Sequence, residues 1–349
     1  MAVHCRTLDA ASTAAWDAFV LGWPAGTFCH RAAWAAVLQS AFGHRPHYFL
    51  ATQDGSVTGV LPLMEVKSFL FGHRLISTPF CVYGGPLAAD RESFDALVAA
   101  AIQAQASTGA DVLELRFRDP PPPEWLDPQT WPERADLYAT FRKPISASDD
   151  DNLKAIPRKQ RAVVRKALAA DLCATVSRDT DGLHRIYAES VRNLGTPVFP
   201  RRYFRLLAEA FGADMDVLSI AAGAQVQAAV MNFHFRDEVL PYYGGGLRDA
   251  RSTGANDLMY WEVMRQAAAR GARLFDFGRS KTGTGAYAFK KNWGFAASPL
   301  VHRFHLRPGA TLPDHSPSNP KYRLMIDTWK RLPLPLANAL GPLIVRGTG

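Results

Sequence analysis

The chain has 349 residues, of which 48% are hydrophobic and 21% charged, a balance that excludes a disordered polymer and leaves room for two domains with real cores. Its formal net charge of +8 favours anionic partners such as nucleotide, phosphate, RNA or acidic lipid without choosing among them. Cys5, Cys29, Cys81 and Cys173 stand singly, against a disulfide framework or a zinc cage, and no export leader or bilayer-length apolar run is visible, so a cytoplasmic location is expected.

In chain order, residues 30–43 have helical spacing and stop at Gly43. Residues 48–66 read strand, Asp54-Gly55 turn, strand, and a third strand is expected to end in Tyr83-Gly84-Gly85-Pro86. A helix over 92–108 stops at Gly109, and a strand containing Glu114 follows. Pro120 to Pro123 open an extended excursion that ends in a strand near 139–141. Ser148 and the acidic run after it cap a helix beginning near Leu153, and Pro157 suits the first turn of the next. In that second helix Arg158, Lys159, Arg161 and Arg165 form a basic stripe, which reads either as a solvated face or as a phosphate- or nucleic-acid-binding one.

The order then repeats. Residues 200–212 match 30–43, residues 217–235 form a hairpin about Gly223, and Tyr243-Gly244-Gly245-Gly246 matches the first Tyr-Gly-Gly. A helix over 256–270 stops at Gly271, and the strand at 274–277 carries Asp276 where the first copy has Glu114. This internal duplication predicts two mixed α/β domains, 1–145 and 146–310, with a tail at 311–349. The tail mixes Trp329, Leu332, Leu334 and Leu343 with Lys330 and Arg331, and reads either as a helix packed on the body with a proline-broken extension or as an interfacial helix peripheral to the inner membrane.

The segment 276–291 gathers groups suited to anions. Arg279, Lys281, Lys290 and Lys291 flank glycines that let backbone approach a ligand, and they are candidate substrate-binding residues. Ser280-x-x-Gly283-x-Gly285 is a near miss to an acyl-CoA pyrophosphate loop, with Ser where Arg or Gln is usual and on the wrong strand. Tyr242 and Tyr243 end a strand at a triple glycine, where a phenol can bond an oxyanion or pass a proton, so Tyr243 is a candidate catalytic residue and Tyr242 a substrate contact. Tyr83 is the first-copy equivalent; Pro86 removes a donor there, which makes the second copy the expected active one and the first the acceptor side. Asn256 begins a helix, in a place suited to capping or to holding an anion. Asn232 and His234 alternate on a strand and are read as substrate contacts, while Asp276 is either a general base or, like Glu114, the seat of a structural hydrogen bond. His44/His47 and His302/His305 lack companions for a metal, and no Gly-x-Ser-x-Gly elbow occurs.

The duplication, the basic helix PRKQRAVVRKAL and the closing DFGRSKTGTGAYAFKKNWGF resemble the FemAB-like peptidoglycan-bridge aminoacyltransferases, in particular the bacterial branch associated with exosortase and exopolysaccharide loci. The resemblance implies two tandem domains of the GNAT N-acyltransferase fold, no metal and no tightly bound cofactor. It also implies transfer of an acyl or aminoacyl group from acyl-CoA, acyl carrier protein or aminoacyl-tRNA to an amine on a glycan-precursor or small-molecule acceptor in cell-envelope metabolism. A non-catalytic GNAT-like scaffold that recognises a glycan precursor or RNA is the competing reading.

Overall fold

The computed structural model describes residues 2–312 and 320–349, with side chains 320–324 left aside. The strands are β1 (His4–Thr7), β2 (Arg45–Gln53), β3 (Ser56–Ser68), β4 (Gly72–Ser77), β5 (Leu87–Ala88), β6 (Val112–Phe117), β7 (Glu133–Arg134), β8 (Tyr138–Pro144), β9 (Cys173–Ser177), β10 (Met215–Ala222), β11 (Gln225–Phe235), β12 (Glu238–Gly246), β13 (Leu274–Lys281), β14 (Ala297–Pro299) and β15 (Val301–Leu306). The helices are α1 (Thr13–Gly22), α2 (Ala33–Phe42), α3 (Arg91–Thr108), α4 (Asp149–Ala155), α5 (Arg158–Leu168), α6 (Thr180–Leu194), α7 (Arg201–Phe211), α8 (Ala250–Thr253), α9 (Ala255–Ala269), α10 (Gly285–Asn292), α11 (Pro320–Arg331) and α12 (Leu334–Val345). Among the described residues no helix is long and apolar enough to cross a membrane.

The chain divides into two compact units. Unit 1 comprises 1–136, 300–314 and 345–349, and its mixed sheet runs β1-β2-β3-β4-β6-β15-β7, with β5 pairing β3. The glycine stops form as their sequence requires: Gly43 and Gly109 close α2 and α3 in the left-handed conformation, at φ of 74° and 72°. Leu61, Leu63, Leu75, Leu113 and Leu115 face α3 through Phe94, Leu97 and Ala101, and α1 covers the opposite face, where Trp16 stacks on Tyr48 at 5.2 Å.

Unit 2 comprises 137–299 and 315–344, with sheet order β14-β8-β13-β12-β11-β10-β9. α9 and α5 bury Leu218, Ile220, Val230 and Phe275 on one face. On the other, Tyr187 of α6 and Tyr203 and Phe204 of α7 surround Tyr243. The triple glycine serves this packing, since a Cβ on Gly245 would lie 2.5 Å from the Ser190 Cβ of α6. Gly245→Ala therefore has to displace a helix, and a loss of about 1–3 kcal/mol in urea unfolding is expected.

The units do not follow the boundaries expected at 145 and 310. β8 leaves the first copy to pair β13 in unit 2, and β15 returns to pair β6 in unit 1, so each central strand gains its antiparallel neighbour from beyond the simple repeat. The first copy also departs at its third strand, which stops at Ser77. Pro79 lacks a ladder donor, Thr78 and Phe80 take positive φ of 48° and 65°, and Tyr83-Gly84-Gly85 lies outside any strand. The tail forms two helices: Trp329 and Ala337 are buried, while Leu336, Leu340 and Leu343 face outward.

Candidate functional site

In each unit a parallel pair opens into a wedge. β12 and β13 are paired only at Glu238↔Leu274 and Val239↔Phe275; beyond these registers β12 stays with β11 and β13 with β8. In unit 1 the pair β4–β6 ends at Ile76↔Glu114, and there the amides of Gly84 and Gly85 both donate to the Arg116 carbonyl, at 3.1 and 2.6 Å, closing the first copy's wedge with its own backbone. No such bond to β13 is made by the matching glycines among the described residues; Ala228↔Gly246, Ala229↔Gly245 and Val230↔Gly244 hold them to β11. A wedge between diverging strands can admit an extended, amide-bearing chain as an added strand.

The wall formed by β13 is bent by a bulge between Asp276 and Arg279, where Gly278 takes a φ of 65°. The bend turns three consecutive carbonyls toward one point. Lys290, carried there by α10, donates from Nζ to the carbonyls of Phe277, Gly278 and Arg279 at 2.6, 3.1 and 3.1 Å. Its ammonium also sits 5.4 Å and 5.6 Å from the ring centroids of Phe141 and Phe277. Desolvation draws the Lys290 pKa down to about 7, against the opposing charge of Asp276 and with help from Arg279. α10 is itself anchored: Thr284 caps it by accepting from the Tyr287 amide and donating to the Lys281 carbonyl.

Asp276, expected as either base or structural anchor, has both oxygens engaged. Oδ1 accepts from the Gly278 amide at 2.7 Å and Oδ2 lies 3.3 Å from Arg142 Nε, while Arg142 also bonds Glu238 at 2.5 Å. Glu114 stands in the same place in unit 1, paired with Arg116 at 2.8 Å and His302 at 3.1 Å. Arg279 lies over the Tyr138 ring at 4.7 Å; Lys281 is half-buried and Lys291 exposed, with its Nζ 6.0 Å from the Tyr287 ring.

The other candidates are more scattered. The Tyr243 hydroxyl bonds that of Tyr203 at 2.8 Å inside the α6–α7 aromatic cluster, and Tyr242 packs on Phe233. Asn256 abuts Gly246, whose Cβ, if present, would meet its Oδ1. Asn232 and His234 lie toward the hairpin end of β11, where His234 is opposite Val239, away from the glycine end. There both bind Asp216 at 2.8 Å, and Arg270 completes the network at 2.7 Å. Burial opposes ionisation of Asp216, yet the hydrogen bonds from His234 and Asn232 and the Arg270 charge hold its pKa below the ordinary value. On α5, Arg158, Lys159 and Arg165 are exposed, whereas Arg161 donates to the carbonyls of Ile156 and Lys154. Tyr83 is buried in unit 1; a pocket of about 190 Å³ in that unit has walls that include Trp23, His30, Gly85, Phe94, Phe117 and Trp125, and Tyr83 is not one of them.

The structure adds residues that the sequence reading passed over. Between β12 and α9, the short helix α8 carries Arg251, Ser252 and Thr253 and runs into Gly254, an Arg-x-x-Gly spacing, with Gly254 at a φ of 81° leading into α9. α5 lies against this junction: Gln160 bonds Asp257 at 2.5 Å, and a Cβ on Gly254 would be 2.9 Å from that of Ala167. Burial raises the Asp257 pKa despite that bond, and burial together with the Asp257 charge pushes Tyr260 up to about 12. Among the described residues no cluster of three or more His, Cys, Asp or Glu side chains is arranged to hold a metal.

Comparison with known proteins finds similar folds. The family model described as an acetyltransferase (GNAT) domain matches residues 153–291. FemX superposes with a TM-score of 0.68 at 16% identity, covering 93% of this chain and 100% of its own. The C-terminal domain of a putative lysylphosphatidylglycerol synthetase from Agrobacterium fabrum gives 0.58 at 13%, covering 86% and 94%. A tandem GNAT protein of the clavulanic acid biosynthesis pathway gives 0.56 at 15%, covering 89% and 100%. No curated protein sequence matches the chain. At these identities the structural likeness is one of fold.

Proposed function

From a chain that has the tandem GNAT fold, shared with FemX and carrying a GNAT domain at 153–291, we propose an N-acyl or aminoacyl transferase of cell-envelope or exopolysaccharide metabolism. An acceptor amine attacks the activated acyl carbon of a donor held in unit 2; the new C–N bond replaces the donor's thioester C–S or ester C–O bond, and the proton lost by the amine leaves with the released thiol or ribose hydroxyl. The observation that carries this reading is the asymmetry of the two wedges: the first is closed by Gly84 and Gly85 on β6, while in the second β12 and β13 are unpaired beyond Val239↔Phe275, and it is β13 whose carbonyls Lys290 bonds.

In this reading the donor's amide-bearing arm lies along the open wedge. The α8–α9 junction with Arg251 and the basic residues of α5 take its phosphates, a role suited to acyl-CoA or acyl carrier protein and equally to the backbone of aminoacyl-tRNA. The Lys290 ammonium, fixed by three carbonyls in a poorly solvated place, supplies positive charge where the tetrahedral oxyanion develops. Arg279, Lys281 and Lys291 extend that potential toward solvent, and Asp276 positions the Gly278 bulge. Tyr242, Tyr243 and Asn256 shape the glycine end of the wedge. Asn232 and His234 serve the Asp216 network. The outward leucines of α12 are the tail's means of peripheral membrane contact, at the inner membrane on this reading.

Thermal stabilisation against acyl-CoAs, acyl carrier protein, aminoacyl-tRNA and nucleotide-linked sugars tests the proposal. A donor at 100 times its dissociation constant is expected to add about 2.7 kcal/mol to the folded state. A shift with one donor class that Arg251→Ala and Arg165→Ala together reduce identifies the donor. Stabilisation by a glycan precursor alone, with no donor shift and no turnover, returns the molecule to the scaffold reading.

A further inference from the structure

At the tip of the β3–β4 hairpin the sequence runs Ser68-Phe69-Leu70-Phe71-Gly72, apolar where turn chemistry favours Gly, Asn, Asp or Ser. Phe69 is 104% exposed and Leu70 57%, so the first makes no more contact with the protein than in an extended chain. The tip is nevertheless shaped. The Ser68 hydroxyl accepts from the amides of Leu70 and Phe71 at 3.3 and 3.2 Å, and Gly72 takes the left-handed φ of 78° that the reversal needs.

The base of the hairpin is braced by the last residues of the same unit. A Cβ on Gly347 would sit 2.4 Å from Ser68 Oγ and 3.3 Å from the Phe71 ring, and the buried Arg74 donates to the carbonyls of Gly347 and Thr348 at 3.0 and 2.7 Å. Next to this brace Arg346 is exposed, and Lys67, paired with Glu65 at 2.8 Å, is 67% exposed on the strand leading to the tip.

We propose that the Phe69-Leu70 tip is a membrane-docking wedge that inserts into an anionic phospholipid bilayer, with Arg346 and Lys67 against the headgroups. Size decides for lipid over protein. Two protruding side chains are far below the roughly 1,000 Å² that a specific protein interface needs, whereas a bilayer accepts a narrow wedge and rewards adjacent cations. The net charge of +8 has the sign such a surface attracts. The inference is independent of the transfer chemistry assigned to unit 2 and of the outward leucines on α12.

The test is flotation of the full chain with phosphatidylcholine vesicles with and without phosphatidylglycerol. Wild type is expected to float with the anionic vesicles and to be released by salt, and Phe69→Ser/Leu70→Ser to bind them at least about tenfold more weakly at an unchanged Tm. Leu194→Ser, at a 68% exposed site in unit 2, is expected to bind like wild type. Failure of the wild type to float overturns the proposal, as does equal flotation of the double variant. A concentration-dependent dimer abolished by the double variant, without vesicle binding, assigns the tip to a second copy of the chain and also overturns it.

Discussion

Replacing Lys290 by methionine is expected to lower kcat at least about tenfold, through loss of a buried positive charge rather than of a hydrogen bond to the oxyanion, since its three N–H groups are held by carbonyls, with the fold retained. Methionine fills the stem's place between Phe141 and Phe277 but gives the carbonyls of Phe277, Gly278 and Arg279 no donor. Lys290→Arg keeps the charge and is not expected to rescue turnover, because a planar guanidinium does not direct three N–H groups into that cup. The pH profile separates a charged role from a merely structural one. With the Lys290 pKa at about 7, wild-type kcat falls as the pH rises through that value and the ammonium is lost, and the methionine variant lacks this limb. The linked effect on stability has the opposite sense. Folded Lys290 holds its proton less tightly than the unfolded side chain, so its burial penalises the fold most below about pH 7, and the penalty fades toward the unfolded value of about 10.4. A variant with wild-type kcat and an unchanged descending limb removes Lys290 from the chemistry.

The repeat is legible in the sequence because local rules write it: left-handed glycines end α2 and α3, and Asp54-Gly55, at φ of 53° and 79°, makes the β2–β3 turn. Partner exchange by β8 and β15 is not legible, since short strands carry no record of which sheet they join and the pairing is fixed by contacts far away in sequence. The same divide runs through the site. Lys290 stands out as a cation in a glycine-bearing loop, yet its meaning comes from the Gly278 bulge, which a pattern of alternating residues does not announce. Asn232 and His234 share a strand face as their spacing requires, but their common partner Asp216 arrives from β10 by register. The Arg251-x-x-Gly254 spacing is present in the sequence, and the showier glycines at 283 and 285 draw attention from it.

The matched carboxylates of the two copies allow the roles of fold and chemistry to be separated. Glu114 is 4% exposed and bonds Arg116 and His302; Glu114→Ala leaves the Arg116 guanidinium, itself 3% exposed, without its carboxylate, and a loss of about 3–5 kcal/mol in urea unfolding at pH 7 is expected. Burial raises the Glu114 pKa, but the charge of Arg116 and the His302 hydrogen bond outweigh it and hold the carboxyl well below its usual value. A folded pKa below the unfolded one gives stability that is fully present above about pH 4.5 and is lost as the pH falls through the folded value, so the gap between wild type and Glu114→Ala narrows only in acid. Turnover by the folded Glu114 variant is expected to match wild type, because the transfer assigned to unit 2 does not use this carboxylate. Asp276→Asn makes the contrast. The amide still accepts from Gly278 but no longer faces Arg142 with a charge, so the bulge that presents three carbonyls to Lys290 loosens, and kcat is expected to fall more than stability does. Equal effects of the two substitutions on kcat would place both wedges in the reaction and end the assignment of transfer to unit 2 alone.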